Sequence, residues 1–271
     1  MLSIIISSYK PDYFAAVEKN IAATCGVPHE IIRMENPGIM GICEAYNKGA
    51  EKAKYSHLIF VHEDVEFYTE NWGKILMENY FTIPNMGVIG FAGVKRRFHM
   101  CYGYGFNNLF HNEGFLLLQH KGSGTKAHHH QNPIPVKVID GVFLGMKKEL
   151  WQSQKFNENF LKGFHFYDID FTLKASENHQ NYLITDINLV HFSKGNFGND
   201  WVKEAIRFNK QKNYNFDPAT NFEKKQIRKD WYLRLKDEKI NFTNRLKYVF
   251  EMGVDRFSRS AMLQFLFSKT R

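Results

Sequence analysis

Three sets of polar residues in this chain have the types and spacing to do chemistry: His62-Glu63-Asp64, Tyr167-Asp168-Ile169-Asp170 and His191. Carboxylates and imidazoles gathered in one place can hold a divalent cation, and a carboxylate set apart from it can take a proton from an attacking hydroxyl. The first set ends an apolar run. Leu58-Ile59-Phe60-Val61 reads as a buried strand that stops abruptly at an acidic knot extending to Glu66. In open α/β sheets ligands sit beyond the carboxyl ends of the strands, which makes the knot a natural metal or phosphate site. A strand running into a solvated acidic turn gives the same pattern.

The periodicity of the chain supplies the elements that must position these residues. Leu2 to Tyr9 predicts a first strand, Tyr13 to Ala23 a helix with Phe14, Val17 and Ile21 on one face, and His29 to Met34 a second strand. Strand, helix and strand in so short a span form a βαβ unit with parallel strands. A helix over Ile42 to Ala53, with Tyr46, Asn47 and Gly49 inside it, then delivers the chain to a third parallel strand ending at Glu63-Asp64. Further along, the pattern predicts a helix over Asn71 to Tyr80 and a short strand over Met86 to Ala92. Val136 to Met146 is strand-like, interrupted by Asp140-Gly141, and Trp151 to Phe160 carries helix and turn signals. A helix opens around Tyr167-Asp168 and runs to about Glu177, and Tyr182 to Val190 reads as one final core strand before His191.

Lys95 to Pro135 lacks a sustained period and is rich in Gly, Asn, His and aromatics, as a binding loop or small β excursion would be. Within it, His128-His129-His130 cannot share one metal as a helical pair would, and reads as a solvent-exposed or substrate-lining tract.

At 271 residues, 44% hydrophobic and 24% charged, the chain has material for one large domain or for one domain plus an appendage. No run approaches the roughly 18 apolar residues of a spanning helix. Ile4 to Ile6 lie too close to the start for a signal peptide, so a cytoplasmic protein is expected. Cys25, Cys43 and Cys101 are widely spaced and odd in number, which argues for free thiols rather than a disulfide framework or a zinc site.

The charge is unevenly placed. Residues 1 to 193 hold 18 Lys plus Arg against 19 Asp plus Glu, and residues 194 to 271 hold 18 against 9. Phe242 to Phe267 carries Leu246, Val249, Phe250, Gly253, Phe257, Ala261 and Phe265 near helical spacing, with Arg245, Lys247, Arg256 and Arg259 between them. Such a segment, 240–271, can lie on the anionic inner face of a membrane. Equally, an apolar helical stripe packs a helix on its own domain or on a second copy in a homo-oligomer. The basic tail has no recognition motif for nucleic acid, which is not an expected partner.

Taken together, the motifs resemble the family-2 glycosyltransferases of the GT-A fold. They read Ser3-Ile4-Ile5-Ile6-Ser7-Ser8-Tyr9, Glu30-Ile31-Ile32-Arg33-Met34-Glu35, His62-Glu63-Asp64, Tyr167-Asp168-Ile169-Asp170 and His191. The wording His-Glu-Asp-Val, Phe-His-Phe-Tyr-Asp-Ile-Asp-Phe and His-Phe-Ser-x-Gly looks most like the subgroup named after a streptomycin-biosynthesis protein. The resemblance implies an α/β fold: a Rossmann-like nucleotide-binding domain over 1–195 with a mixed, mainly parallel sheet, and a basic helical extension over 196–271. Within the domain, 1–94 would be the nucleotide-binding half and 95–195 the acceptor and catalytic half.

The same resemblance implies a metal-dependent, inverting transferase that moves a sugar from a nucleotide-sugar donor to a hydroxyl of a glycan or related acceptor. Asp64 and His191 would hold Mn²⁺ or Mg²⁺, and Asp168 would be the general base. Ser7, Tyr9, Glu35, Asn47, His62 and Glu63 would contact the donor nucleotide, and Asp140, Gly141, Tyr167 and Asp170 the sugar and acceptor. Two positions depart from the family pattern: His62 stands where an acid is usual, and Tyr167 where Glu is common. The first departure motivates an alternative, a non-catalytic nucleotide-sugar-binding or scaffold protein on the same fold.

Overall fold

The computed structural model describes residues 1–103, 114–116, 119–120, 133–193 and 195–268. The histidine tract at 128–130 lies outside them. The predicted N-terminal alternation is present as β1 (Leu2–Ser8), α1 (Pro11–Thr24), β2 (His29–Glu35), α2 (Ile42–Lys52) and β3 (His57–Val61), with β1 paired in parallel to both β2 and β3. Leu2, Ile4 and Ile6 pack with Phe14, Val17 and Ile21 of α1, while Ile5 packs on the other face with Ala45 and Tyr46 of α2. Burial on both faces is why β1 reads as a continuous apolar run rather than an alternation. Gly49 lets α2 close on the sheet, because a Cβ there would stand 2.4 Å from Ile5 Cγ2.

Beyond β3 come β4 (Val65–Phe67), α3 (Trp72–Ile75) with a π-helical turn over Leu76–Tyr80, β5 (Met86–Gly90), β6 (Ala92–Val94), β7 (Gly114–Leu116) and β8 (Gln119–His120). They are followed by β9 (Ile134–Val136), β10 (Val138–Ile139), β11 (Phe143–Lys147), α4 (Lys148–Gln154), α5 (Tyr167–Ala175), β12 (Gln180–Leu183) and β13 (Leu189–His191). Helices α6 (Asn199–Asn209), α7 (Asn221–Leu235), α8 (Phe242–Met252) and α9 (Arg259–Phe267) complete the chain. The central sheet has seven strands in the order β2-β1-β3-β11-β5-β12-β9. It is mixed and mainly parallel, as expected: β11 runs antiparallel to β3 and β5, and β9 antiparallel to β12.

Two single strands read from the sequence are divided. Val136 to Met146 contributes to β9 and β11 in the central sheet and to β10 in a small sheet with β6 and β7. Tyr182 to Val190 is split between β12 in the central sheet and β13, which joins β4 and β8 in a second small sheet. The break is pinned by Asp186, which accepts a hydrogen bond from the buried Tyr80 hydroxyl at 2.5 Å, and by Thr185 N–H, which donates to the same hydroxyl at 3.1 Å. The helix sought over Trp151 to Phe160 begins earlier and ends at Gln154.

The C-terminal amphipathic segment is likewise two helices, α8 and α9, separated by Gly253 at φ 75°. Arg245 does not belong to its outer basic face. It is buried, and its guanidinium donates to the carbonyls of Ile240 (2.9 Å), Lys236 (3.2 Å), Glu238 (3.2 Å) and Phe265, and to Ser268 Oγ (2.7 Å). One buried cluster runs from α2 and the adjacent face of the sheet through α5 to α6, α7, α8 and α9.

Arg245→Leu leaves those carbonyls facing a side chain that cannot donate. We expect it to lower the unfolding free energy by about 3 kcal/mol or more in urea titration. Arg245→Lys should recover only part, since an ammonium cannot span the fork.

Candidate active site

Strand pairing brings the widely separated residues of the first site together. Asp64 immediately precedes β4, and β13 pairs antiparallel to β4 with His191 opposite Val65. The Phe192 N–H donates to the Asp64 carbonyl at 3.0 Å, closing the end of that ladder. In consequence His191 Nε2 lies 3.3 Å from Asp64 Oδ1, with Ser193 Oγ 3.1 Å from the same nitrogen. His62 enters from the end of β3, its Nδ1 3.9 Å from Asp64 Oδ1. One ligating atom from each of His62, Asp64 and His191 falls within 4.8 Å of the others.

The tautomer of His62 follows from its neighbours. Tyr167 Oη donates to the Gly141 carbonyl at 2.8 Å, so the 3.0 Å contact between His62 Nε2 and that oxygen has the imidazole N–H as donor. The lone pair is then on Nδ1, toward Asp64. Burial, with His191 nearby, pushes the His62 imidazole down to about 4 despite the attraction of Asp64, and so keeps it neutral. Burial also opposes the charge of Asp64, but hydrogen bonds from His191 and Ser193 and the two imidazoles outweigh it and hold the carboxyl down to about 2. One ionised carboxylate with two imidazole rings beside it fits a divalent cation of the Mn²⁺ or Mg²⁺ type, the imidazoles favouring Mn²⁺.

The second site is built on the first turn of α5. Asp168 Oδ2 accepts from the Gly141 N–H at 2.9 Å, and Asp140 Oδ1 accepts from the Val142 N–H at 3.1 Å. Burial, reinforced by the like charge of Asp140, raises the Asp168 carboxyl to about 7 against the pull of backbone N–H donors. Gly141 must be glycine for this packing, because a Cβ would stand 2.1 Å from Tyr167 Oη. The chain enters α5 through Phe166, a non-glycine residue at φ 67°. Its buried ring stacks on Phe208 at 5.2 Å and meets Trp201 at 5.6 Å, so α6 holds a backbone conformation that is unfavourable by itself.

Both sites face one cavity of about 1010 Å³. Of the residues picked from the sequence, Ser7, Tyr9, His62, Glu63, Asp64, Asp140, Gly141, Tyr167, Asp168 and His191 line it. Glu63 is buried and shapes the wall: its Oε1 accepts from the N–H groups of Lys10 (3.0 Å) and Tyr9 (3.3 Å) at the β1–α1 junction. Three picks lie away from the cavity lining. Asn47 is buried and occupied on both sides of its amide, donating to the Phe156 carbonyl and Glu158 and accepting from the Trp151 indole and the Phe156 N–H. Asp170 is buried against Lys174 at 2.9 Å and accepts from the Tyr214 hydroxyl. Glu35 is exposed at the end of β2, where the adjacent Asn36 takes the place in the lining.

Sequence reasoning missed the far wall. His165, Phe197, Trp201, Trp231 and Arg234 also line the cavity. Trp201 of α6 and Trp231 of α7 stack with ring centroids 5.0 Å apart and planes within 3°, and the Arg234 guanidinium lies 4.2 Å from the Phe197 ring centroid. The available signal was compositional: two of the four tryptophans fall in the segment read as a basic tail.

A model of the glycosyltransferase-like family matches residues 3–225. The chain belongs to that family. Among solved structures, this glycosyltransferase-like chain is similar in fold to S. aureus TarS 1-349 in complex with UDP. The identity is 13%, the match covers 97% of this chain and 79% of that one, and the TM-score is 0.50. It also matches GalNAc-T7 with UDP, GalNAc and Mn²⁺ at 9% identity and TM-score 0.48, over 71% of this chain and 44% of that one, so it spans less than half of GalNAc-T7. No curated protein sequence matches it. The fold is the α/β GT-A type expected from the motifs.

Because Asp140 contributes to the raised Asp168 carboxyl, carbon-13 NMR of labelled aspartates should find one carboxyl titrating near pH 7 that disappears in Asp168→Asn. In Asp140→Asn that midpoint should move to lower pH. A native Asp168 midpoint near the usual value of ~3.9 contradicts the assignment.

Proposed function

We propose that this chain is a metal-dependent, inverting glycosyltransferase that moves a sugar from a nucleotide-sugar donor to a hydroxyl of a glycan or related acceptor in surface-polysaccharide or related glycan assembly. One observation supports the reading: a single cavity holds an ionised carboxylate between two imidazoles and, separately, a carboxyl whose titration is raised to about pH 7. The motif wording around Asp64, Asp168 and His191 further supports the streptomycin-biosynthesis-type subgroup. We divide the chain near residue 195, with the later helices contributing the acceptor-side wall.

His62, Asp64 and His191 would hold the cation, which when bound supplies Lewis-acid neutralisation of the diphosphate. The residues at the ends of β1 and β3, Ser7, Tyr9 and Glu63, form the wall against which the nucleotide lies. Opposite them Asp168, held by the Gly141 N–H, accepts the proton of the acceptor hydroxyl as that oxygen bonds to the anomeric carbon. The bond from that carbon to the diphosphate oxygen breaks in the same step, and its electron pair leaves with the diphosphate. A single displacement without an enzyme nucleophile inverts the anomeric centre. A binding protein without turnover, the other reading of the sequence, has no use for a carboxyl raised to about 7 in the donor cavity.

With Mn²⁺ and a panel of nucleotide sugars, Asp168→Asn should lower kcat by ~10²–10⁴-fold while nucleoside diphosphate binding stays within a few-fold of native. Asp64→Asn and chelation should each abolish the metal-dependent part of that binding. Full activity in Asp168→Asn removes the base assignment. Metal-dependent nucleotide binding with neither transfer nor hydrolysis of any donor supports the binding protein instead.

A further inference from the structure

We infer that the outer face of the α8–α9 hairpin docks on an anionic lipid bilayer. The large apolar side chains of Phe242, Leu246, Phe250, Val254, Phe257, Leu263 and Phe267 are all exposed there, Phe250 at 89% and Phe267 at 68%. Phe242, Leu246 and Phe250 recur every four residues along α8, and Leu263 and Phe267 do the same on α9, so each helix carries a stripe. The Phe242 and Phe267 rings are 6.2 Å apart, which brings the two stripes together at one end of the hairpin.

These side chains are exposed on a fixed scaffold rather than on a loose helix. Tyr248, Met252, Ala261 and Phe265 on the opposite faces are buried, and the Tyr248 hydroxyl donates to the Cys101 carbonyl at 2.6 Å. Among the described residues, folding therefore leaves this second apolar face uncovered.

Charge decides what covers it. Lys239, Lys247, Arg256 and Arg259 are exposed around the stripe, and no ion pair among the described residues engages them. The two acids of the hairpin are turned inward: Glu251 accepts from Asn209 at 2.9 Å, and Asp255 accepts from Arg228 at 3.1 Å. A second copy docked by two-fold symmetry would lay this face on itself and oppose like charges. An anionic bilayer supplies the complement to both features, with phosphates for the cations and the acyl boundary for the rings. Among the described residues no helix is long and apolar enough to cross a membrane, so the contact is with one surface.

The test is co-sedimentation of the full-length chain with phosphatidylcholine vesicles made with and without phosphatidylglycerol. Binding to the anionic vesicles should be at least about tenfold tighter and should weaken with added salt. Phe250→Ser with Phe267→Ser, and separately Lys247→Glu with Arg256→Glu and Arg259→Glu, should each lower it by about tenfold or more at an unchanged melting temperature. Equal binding to the two vesicle types overturns the inference, as does native binding by either set of variants. So does a dimer that the serine variant dissolves while vesicles bind no protein. Nucleoside diphosphate binding should be native in every variant, which keeps this result separate from that of the transfer reaction.

Discussion

Burial acts on Asp64 and Asp168 in the same direction, toward the neutral acid, and the neighbours that the fold brings to each overcome it at only one of them. At Asp64 hydrogen bonds from His191 and Ser193 favour the carboxylate. At Asp168 a second aspartate, Asp140, adds to the desolvation, and backbone N–H groups only partly offset the two. A pair of carboxyls held at opposite ends of the titration range can divide the work of charge stabilisation and proton transfer. Neither state is a property of the residue alone. Each requires side chains brought from elsewhere in the chain to within a few ångströms, which is the task of the fold.

Two features of the backbone perform it. The first is β11, which lies antiparallel between β3 and β5, so that Gly141 and Val142, which lead into it, run past the end of β3, where the Val142 carbonyl accepts from the His62 N–H. The second is the left-handed Phe166, which turns the chain so that the first residues of α5 reach into the cavity. A non-glycine residue in that region costs of order 1–3 kcal/mol. Its buried ring, packed on Phe208 and Trp201, is stabilised by contacts that exist only because α6 returns to the sheet. The C-terminal helices thus set the geometry of α5 as well as forming the far wall of the cavity.

β1, β2 and β3 are legible in the sequence because each is a short apolar run ending in polar residues, and of the acids at those ends Glu63 and Asp64 line the cavity while Glu35 does not. The direction of β11 was not legible, since a strand buried on both faces looks the same read either way. For the same reason Tyr182 to Val190 looked like one strand: the apolar run continues through a corner made by Asp186 and Tyr80, whose hydrogen bond is tertiary. The company of Lys247, Arg256 and Arg259 makes Arg245 read as one of the outward basic residues, yet its guanidinium is buried because carbonyls from two segments, 236–240 and α9, converge on it. Asn47 was misplaced for a related reason. An amide can satisfy a buried turn or a ligand equally well, and only the positions of Trp151, Phe156 and Glu158 distinguish them. The aromatic far wall follows the last motif, where nothing in the local pattern ties Trp201 or Trp231 to the acids.

His62, which in the sequence is the weakest point of the resemblance, has a physical reason once Tyr167 is placed. The Tyr167 hydroxyl has one proton, and it is given to the Gly141 carbonyl. A carboxylate at position 62 could only accept, so it would compete with Gly141 for that proton. Neutral imidazole does the reverse, donating through Nε2 to the phenol oxygen while keeping the Nδ1 lone pair toward Asp64. The same side chain therefore joins the His62–Asp64–His191 cluster, through the Tyr167 hydroxyl, to the glycine whose N–H holds Asp168. The unusual residues at 62 and 167 belong together: once the tyrosine is present, an imidazole serves both of its neighbours and an acid could serve only one.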